Sequence, residues 1–270
     1  MASFTNFATL SYNGGTTNSN IVTGEILEAL TAVKTAVSAN YSAGDRITYA
    51  LSLVNTGTAA ITDYTVTDNL GGYTVGANTV YPLAYNAGTV RYYINGVLQA
   101  APTVTAGPPL TVTGLTVPAG GSAVLIYETT ATPVAPLATG SSITNTATIT
   151  GAGLTTPITA QATVETANSA DLTISKALSP TTVTENGRIT YTFVISNTGN
   201  TEATATGNVV VTDTFAPILR NIAVTYNAAT GVFTTLAGQI TVPAATFTQN
   251  TDGTFTVTPG TATLVITGTV

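Results

Sequence analysis

The two lysines of this chain are the residues whose type and position could do chemistry. Lysine and arginine together number 6 among 270 residues, and the lysines are Lys34 and Lys176. In the segment LTISK, strand-like alternation places Lys176 on the same face as Leu172 and Ile174, and such an apolar face is expected to lie in a core. Lys34 likewise shares a face with Leu30. Both amines are therefore predicted to point inward.

The same alternation places aspartates and an asparagine on inward faces. Asp68 ends the segment DYTVTD, Asp213 ends NVVVTD, and Asn145 lies in ITNTATIT. Their same-face neighbours are apolar: Tyr64 and Val66 for Asp68, Val209 and Val211 for Asp213, and Ile143, Ala147 and Ile149 for Asn145. Burying an unpaired charge costs several kcal/mol, so these polar groups are expected to meet and to compensate one another.

Two arrangements of these groups are compatible with the sequence. In the first, a buried Lys–Asp ion pair is hydrogen-bonded to the asparagine without covalent change. In the second, desolvation lowers the lysine pKa and raises the aspartate pKa, so that a neutral amine attacks the Asn carboxamide while the acid transfers protons. Ammonia would leave and an isopeptide bond would remain. Within one chain, the set would be Lys34, Asp68 and Asn145.

The composition excludes most other chemistry. The chain has no cysteine and no histidine, which excludes disulfides, zinc sites built on those residues, thiol nucleophiles and imidazole-based triads. A net charge of −6 with dispersed cations argues against nucleic-acid binding. No run of about 18 apolar residues occurs, so no membrane insertion is expected. We therefore expect a protein that is not an enzyme and that binds neither cofactor nor metal.

Two copies of one domain follow each other in the chain. Residues 30–57 align without gaps on residues 172–199 at an offset of 142, which pairs Lys34 with Lys176. Two further stretches extend the alignment, 66–70 with 211–215, and 117–130 with 257–270 at an offset of 140. Internal similarity of this kind indicates tandem domains, which we place at 25–166 (domain 1) and 167–270 (domain 2).

Both copies are predicted to be all-β. Runs such as RITYALSLVN and RITYTFVISN alternate with a period of two and are rich in β-branched residues. Turn residues such as Asn186 and Gly187 separate these runs. The spacing suggests a sandwich of seven or eight strands in each copy. A helix over residues 25–37 is the alternative for one segment, but its counterpart in the second copy favours a strand.

The second copy lacks the last strand of the first. Its alignment reaches the counterpart of Thr130 at Val270, whereas the first copy continues with ITNTATIT and then PITAQATVET. A sandwich without its last strand exposes an unpaired edge and an open core, which proteins ordinarily avoid. Either the second copy closes differently or another segment supplies the strand.

The N-terminal residues 1–24 are the candidate donor of that strand. The segment TNSNIVTG, which follows a predicted strand and a Gly-Gly turn, aligns with TNTATITG and places Asn18 on Asn145. Strand addition between subunits would then join Lys176 and Asp213 of one chain with Asn18 of the next. Repeated head to tail, an interface that does not close generates a filament. The alternatives are a disordered tail and an arm that packs on its own domain.

The repeated motif also resembles a known family. A lysine followed by RITY and NTG, then VTD and finally ITNTATITG, resembles the conserved repeat domain of Gram-positive surface proteins. The resemblance implies an Ig-like sandwich, strung in tandem on surface adhesins and without enzymatic activity. Related surface domains contain intramolecular isopeptide bonds, which favours the covalent arrangement. Because no secretory signal is recognisable at the N-terminus, the chain is most similar to the self-assembling fibre subunits of clostridial-type spores.

The expected fold is thus all-β, with two tandem Ig-like β-sandwich domains and an N-terminal extension strand. The expected function is that of a structural subunit of an extracellular filament on a spore or cell surface, whose partner is a second copy of itself. The alternative function is a non-polymerising adhesin or stalk module that binds a ligand through its loops.

Overall fold

The computed structural model describes residues 2–26, 29–151, 154–204, 209–216, 218–226, 229–231 and 240–270. All regular elements in these ranges are strands, so the all-β fold class is confirmed. The chain divides into two compact units. The first holds Met1–Thr74, Tyr81–Thr132 and Ile143–Val164, and the second holds Val75–Val80, Pro133–Ser142 and Glu165–Val270. The domain boundaries proposed from the repeat remain a prediction.

The N-terminal residues form a long hairpin of two nested strand pairs. Its strands are β1 (Ala2–Asn6), β2 (Thr9–Tyr12), β3 (Gly15–Asn18) and β4 (Val22–Ile26). The inner pair is β2 with β3, in which Thr9 lies opposite Asn18, and the outer pair is β1 with β4, in which Asn6 lies opposite Val22. We call residues 2–26 the N-terminal hairpin.

Domain 1 is a sandwich of two sheets, and its residues also include a separate pair of strands at Tyr73–Val75 and Asn78–Val80. One sheet has the strand order β13-β12-β16-β7-β5, with β11 also paired to β16, and the other has the order β14-β15-β8-β17-β18-β6. The segment for which a helix was the alternative forms strand β5 over its described residues 30–36. The strands are β5 (Leu30–Ala36), β6 (Asn40–Tyr41), β7 (Arg46–Asn55), β8 (Ile61–Asp68), β9 (Tyr73–Val75), β10 (Asn78–Val80), β11 (Leu83–Tyr85), β12 (Arg91–Ile94), β13 (Val97–Leu98), β14 (Thr103–Thr105), β15 (Leu110–Val117), β16 (Ser122–Ala131), β17 (Ser142–Thr150) and β18 (Ile158–Thr166).

Strict alternation of side chains builds the core between these sheets. In β16, every second residue from Ala123 to Ala131 is buried, and β7 and β17 follow the same pattern. Successive strand residues point to opposite faces, so the apolar set of each strand lies between the sheets, and the threonines of β7 and β17 lie on the outward face. The same alternation also places Lys34, Asp68 and Asn145 in the core.

Domain 2 forms only one of the two layers within the described residues. A single larger sheet has the order β19-β20-β25-β21-β22, beside a separate β23–β24 pair. Ile195 and Leu264 are among its buried residues. The strands are β19 (Leu172–Ser179), β20 (Arg188–Asn197), β21 (Arg220–Tyr226), β22 (Ala229–Gly231), β23 (Thr246–Gln249), β24 (Phe255–Thr258) and β25 (Gly260–Thr269).

The register of the last strand corrects the sequence alignment by one residue. In domain 1, Leu125 of β16 lies opposite Leu51, and in domain 2, Leu264 of β25 lies opposite Phe193. Phe193 is the counterpart of Leu51 at an offset of 142, so β25 corresponds to β16 at an offset of 139 and the predicted 140 is wrong. A one-residue slip would turn every side chain to the other face, and burial of Ala262, the true counterpart of Ala123, fixes the register.

The segment that corresponds to β8 is not a strand in domain 2. Its described residues 209–216 pair with no other strand, although Val211 and Phe215 pack on the core. In domain 1, β8 is paired on one edge with β15 and on the other with β17. Among the described residues, the ladder that corresponds to β8–β15 is reduced to one bridge between Ala203 and Val242. The sequence predicts that side chains alternate between inward and outward faces through Asp213. Among the described residues, no neighbouring strand pairs with this segment to fix that alternation.

Candidate cross-linking sites and the N-terminal hairpin

A buried ion pair joins the two sheets of domain 1. The Nζ of Lys34, on β5, lies 2.5 Å from Oδ2 of Asp68, at the end of β8, and the two residues are 4% and 1% exposed. The hydroxyl of Tyr127 donates a hydrogen bond to the same Oδ2, and the N–H of Leu70 donates to Oδ1 at 2.9 Å. Three donors therefore hold the Asp68 carboxylate: the Lys34 amine, the Tyr127 hydroxyl and the Leu70 N–H.

Aromatic rings surround the Lys34 amine. Its Nζ lies 4.8 Å from the ring centroid of Tyr49 and 5.8 Å from that of Tyr127, and these two rings stack at 5.8 Å. Burial lowers the pKa of Lys34 from 10.5 to about 8, although the attraction of Asp68 partly offsets this effect. At a given pH, a larger fraction of this amine is therefore in the neutral, nucleophilic form than for an exposed lysine.

Asn145 borders the same two rings from β17. Its side chain is fully buried, and among the described residues neither its Oδ1 nor its Nδ2 has a hydrogen-bond partner, nor does the Tyr49 hydroxyl. Burial raises the pKa of both Tyr49 and Tyr127, and the nearby Asn145 carboxamide counteracts the rise at each. A buried carboxamide without partners costs about 1–3 kcal/mol. The structure thus brings Lys34 and Asp68 together and places Asn145 against the same aromatic pair.

The corresponding pair in domain 2 is formed but open to solvent. The Nζ of Lys176 lies 2.9 and 2.8 Å from the two carboxylate oxygens of Asp213, and their side chains are 40% and 16% exposed. Lys176 lies 4.3 Å from the ring centroid of Tyr191 and also faces Phe215. At the register established above, Ile266 replaces Tyr127, so the carboxylate has no tyrosine donor of that kind.

The face of β19 that should lie in a core is exposed. Leu172, Ile174 and Leu178, which alternate with outward residues, are 38%, 55% and 39% exposed, whereas Leu30 in domain 1 is 2% exposed. In domain 1 the opposing sheet contains β17 and β18 after β8. The described part of domain 2 has no counterpart of these two strands, and this difference leaves Lys176 and its apolar neighbours uncovered.

Asn18, the third member of the predicted intermolecular set, lies on the N-terminal hairpin. It is exposed on β3, and its Oδ1 accepts a hydrogen bond of 2.8 Å from the hydroxyl of Thr9. The turn predicted at Gly14 and Gly15 lies one residue earlier, at Asn13 and Gly14, because Gly15 already belongs to β3, and Gly14 has a φ of 115° that favours glycine. The described side chains from Phe4 to Thr23 are exposed apart from Gly15, which is half-buried.

The tyrosines are the site residues that sequence reasoning missed. Tyr49 and Tyr127 enclose the Lys34 amine, and neither is among the site residues predicted from the sequence. Alternation within RITYALSL places Tyr49 on the face of Ile47 and Leu51, and all three are buried. The same face argument that located the lysines would therefore have located this ring.

No protein-family model matches the chain, and no curated protein matches it. Solved structures that resemble it include the major pilin BcpA of Bacillus cereus (14% identity, 96% of this chain and 73% of that chain, TM-score 0.37). The pilus backbone protein RrgB of Streptococcus pneumoniae is also 14% identical, over 89% of this chain and 50% of that one, with a TM-score of 0.37.

Two further solved structures match about half of this chain. The N-terminal domain of an adhesin of Streptococcus gordonii is 16% identical over 49% of this chain, which spans 31% of the adhesin chain, with a TM-score of 0.37. A family 123 glycoside hydrolase from Clostridium perfringens is 10% identical over 52% of this chain and 27% of that chain, with a TM-score of 0.33. Within the described residues, no helix is long and apolar enough to cross a membrane.

Proposed function

We propose that the protein is the structural subunit of an extracellular filament that polymerises head to tail. The N-terminal arm of one subunit would complete domain 2 of its neighbour by strand addition. The carrying observation is the open face of domain 2, where Lys176 and Asp213 are paired but only partly covered. The arm carries Asn18 in a segment that matches the strand of Asn145. An interface between two different surfaces of one chain does not close and extends into a fibre.

We further propose that each joint is locked by an isopeptide bond. The Nζ of Lys176 attacks Cγ of Asn18 from the next subunit, the Cγ–Nδ2 bond breaks, and ammonia leaves. Asp213 accepts a proton from the attacking amine and returns one to the departing nitrogen, so no co-reactant is consumed. The same reaction between Lys34 and Asn145, with Asp68 as proton carrier, would cross-link the two sheets within domain 1.

Desolvation supports the internal reaction more directly than the external one. Lys34 is already buried and its pKa is lowered, whereas the Lys176 side chain stays 40% exposed until a strand covers it. We therefore expect the intramolecular bond to form on folding and the intermolecular bond to form only after docking. A donor strand acts in this scheme as the cover that withdraws the second amine from water.

Electron microscopy and denaturing gels of the purified protein test this function. We expect filaments from the full chain, a ladder of boiling-resistant multimers, and a monomer lighter by one ammonia. Asn18→Ala and Lys176→Ala should abolish the ladder, whereas the control Thr17→Ala, on the opposite face of the same strand, should keep it. Filaments from a chain without residues 1–24, or a full chain that stays monomeric at high concentration, would refute strand donation.

A further inference from the structure

We propose that the N-terminal hairpin docks as an intact pair of strands, in which β3 replaces β17 and β2 replaces β18. This inference rests on the proposed function, because it specifies which strands of one subunit dock on domain 2 of its neighbour. It also assigns a role to Thr9 on β2, whose hydroxyl would stabilise the negative charge that develops on Asn18 Oδ1 during cross-linking.

The strand order of domain 1 gives the first reason. There, β17 lies between β8 on one edge and β18 on the other. In the hairpin, β3 is paired with β2 along one edge, and its other edge is unpaired within the described structure. The segment 209–216 of domain 2 likewise has an unpaired edge. Joining these two free edges reproduces the order of β8, β17 and β18 without breaking any pairing that the hairpin already has.

The local register gives the second reason. In domain 1 the hydroxyls of Thr144 and Thr163 lie 2.9 Å apart across β17 and β18, which places Ala162 opposite Asn145. In the hairpin, Thr9 lies opposite Asn18. A small side chain thus faces the reactive asparagine in both pairs, so the second strand can lie against the asparagine without crowding the lysine.

The width of the open face gives the third reason. Neighbouring strands lie about 4.8 Å apart, and domain 2 lacks counterparts of both β17 and β18 among its described residues. Replacing β17 alone would restore a neighbour to Asp213 but leave one strand width of the opposing layer empty. The exposed apolar side chains of β19 call for the wider cover, and the hairpin itself exposes the apolar side chain of Phe7, which gains by burial.

The proposed role of Thr9 follows from a hydrogen bond that the hairpin already contains. Its hydroxyl donates to Oδ1 of Asn18 at 2.8 Å. When an amine attacks the carboxamide carbon, negative charge develops on this oxygen, and a preorganised donor stabilises it more strongly in a site without water. The contact is kept only if β2 stays beside β3 on docking. In domain 1, the residue opposite Asn145 is Ala162, whose side chain offers no such donor.

A disulfide staple tests whether the two strands stay paired. The chain has no cysteine, so Leu10→Cys with Thr17→Cys, which lie opposite each other, introduces one bridge on the face that points away from the core. Cα atoms at such a pair are about 5.5 Å apart, within the range of disulfides. We expect oxidised and reduced protein to polymerise equally. Polymerisation that stops on oxidation and returns on reduction would overturn the intact hairpin while leaving single-strand donation in place.

Thr9 variants test the second part of the inference. We expect Thr9→Val to form filaments at the normal rate but to cross-link about tenfold more slowly, as the loss of one hydrogen bond to the reacting group implies. Thr9→Ser should restore the rate, and Ser11→Ala, on the same face of β2, should not change it. Equal rates of ammonia loss for Thr9→Val and the unchanged chain would overturn the assignment. Absence of filaments from the unchanged chain would instead refute the proposed function itself.

Discussion

Lys34 shows how one residue can be both a cost to folding and a reagent. A buried ion pair is weak support for stability, because removing two charges from water offsets most of their attraction. Here the pair lies against two tyrosine rings and next to a carboxamide whose polar atoms have no partners among the described residues. Conversion of the amine and the carboxamide into one neutral amide would remove the ammonium charge from the core and leave a single N–H in place of the carboxamide NH2.

The pH dependence of stability should reveal whether Lys34 is still an amine. Asn145→Ala cannot cross-link, so Lys34 remains titratable with a folded pKa of about 8 against 10.5 in the unfolded chain. Between these values the unfolded chain holds a proton that the folded chain lacks, so stability should rise by about 3 kcal/mol as the pH increases. Below pH 8 both states are protonated and the dependence vanishes.

Chemical denaturation of that variant across the alkaline range measures the effect. Above pH 10 the tyrosines work in the opposite direction, since burial raises the pKa of Tyr49 and Tyr127 and the folded chain then retains protons. The double variant with Lys34→Met added should show no rise between pH 8 and 10. A rise of equal size in both variants would mean that another group is responsible.

The sequence predicts the position of these residues only through the face of the strand on which each side chain lies. Alternation along short β-rich runs is sufficient to place Lys34, Asp68 and Asn145 inward, and all three are buried. Alternation does not tell which inward residues of different strands meet, because that depends on the stacking of the sheets. The hydrogen bond from Tyr127 to Asp68 joins β16 and β8, which lie in different sheets, and no local pattern predicts it.

At the scale of strands, register was the information that the sequence did not contain. The final strands of the two copies are rich in threonine and small apolar residues, so alignments that differ by one residue look almost equally good. Pairing of β25 with β20 decides between them, since it places Ala262 and Leu264 in the core. The misplacement mattered for the site, because it concealed that Ile266 replaces Tyr127.

A one-residue exchange within β3 should separate docking from cross-linking. Thr17→Asn combined with Asn18→Thr keeps the composition but moves the carboxamide to the opposite face of the strand. We expect filaments of normal appearance without a boiling-resistant ladder, because no side-chain carboxamide then faces Lys176. The matched control Thr17→Ser should retain the ladder. Covalent multimers from the exchanged variant would show that the bond does not depend on the face that Asn18 occupies.

At the scale of the molecule, the two domains share one plan but differ in the strands that their described residues contain. They share the lysine, the aspartate and the ring at Tyr49 and Tyr191, and both keep a buried asparagine, Asn55 and Asn197, that binds backbone carbonyls. Domain 1 contains β17 and β18, and the described residues of domain 2 contain neither. The described residues thus form a two-sheet sandwich, a second domain with one larger sheet, and a hairpin with exposed apolar side chains.

A chain that completes its own domain 2 should stop assembling. Because Val270 corresponds to Ala131 at the observed register, a copy of residues 132–166 joined after Val270 would supply both missing strands. An attached segment acts at about millimolar effective concentration and should displace a neighbour's hairpin at ordinary protein concentrations. We expect monomers without filaments, lighter by two ammonia molecules on intact-mass measurement.

The control for this extension carries alanine at the position copied from Asn145. It should also remain monomeric, because strand pairing rather than the covalent bond closes the face, but it should lose only the one ammonia of domain 1. Filaments from the extended chain would show that subunits join through a surface other than the open face of domain 2. Monomers from both forms would instead place the joint at that face, since the only change is the addition of residues that correspond to β17 and β18.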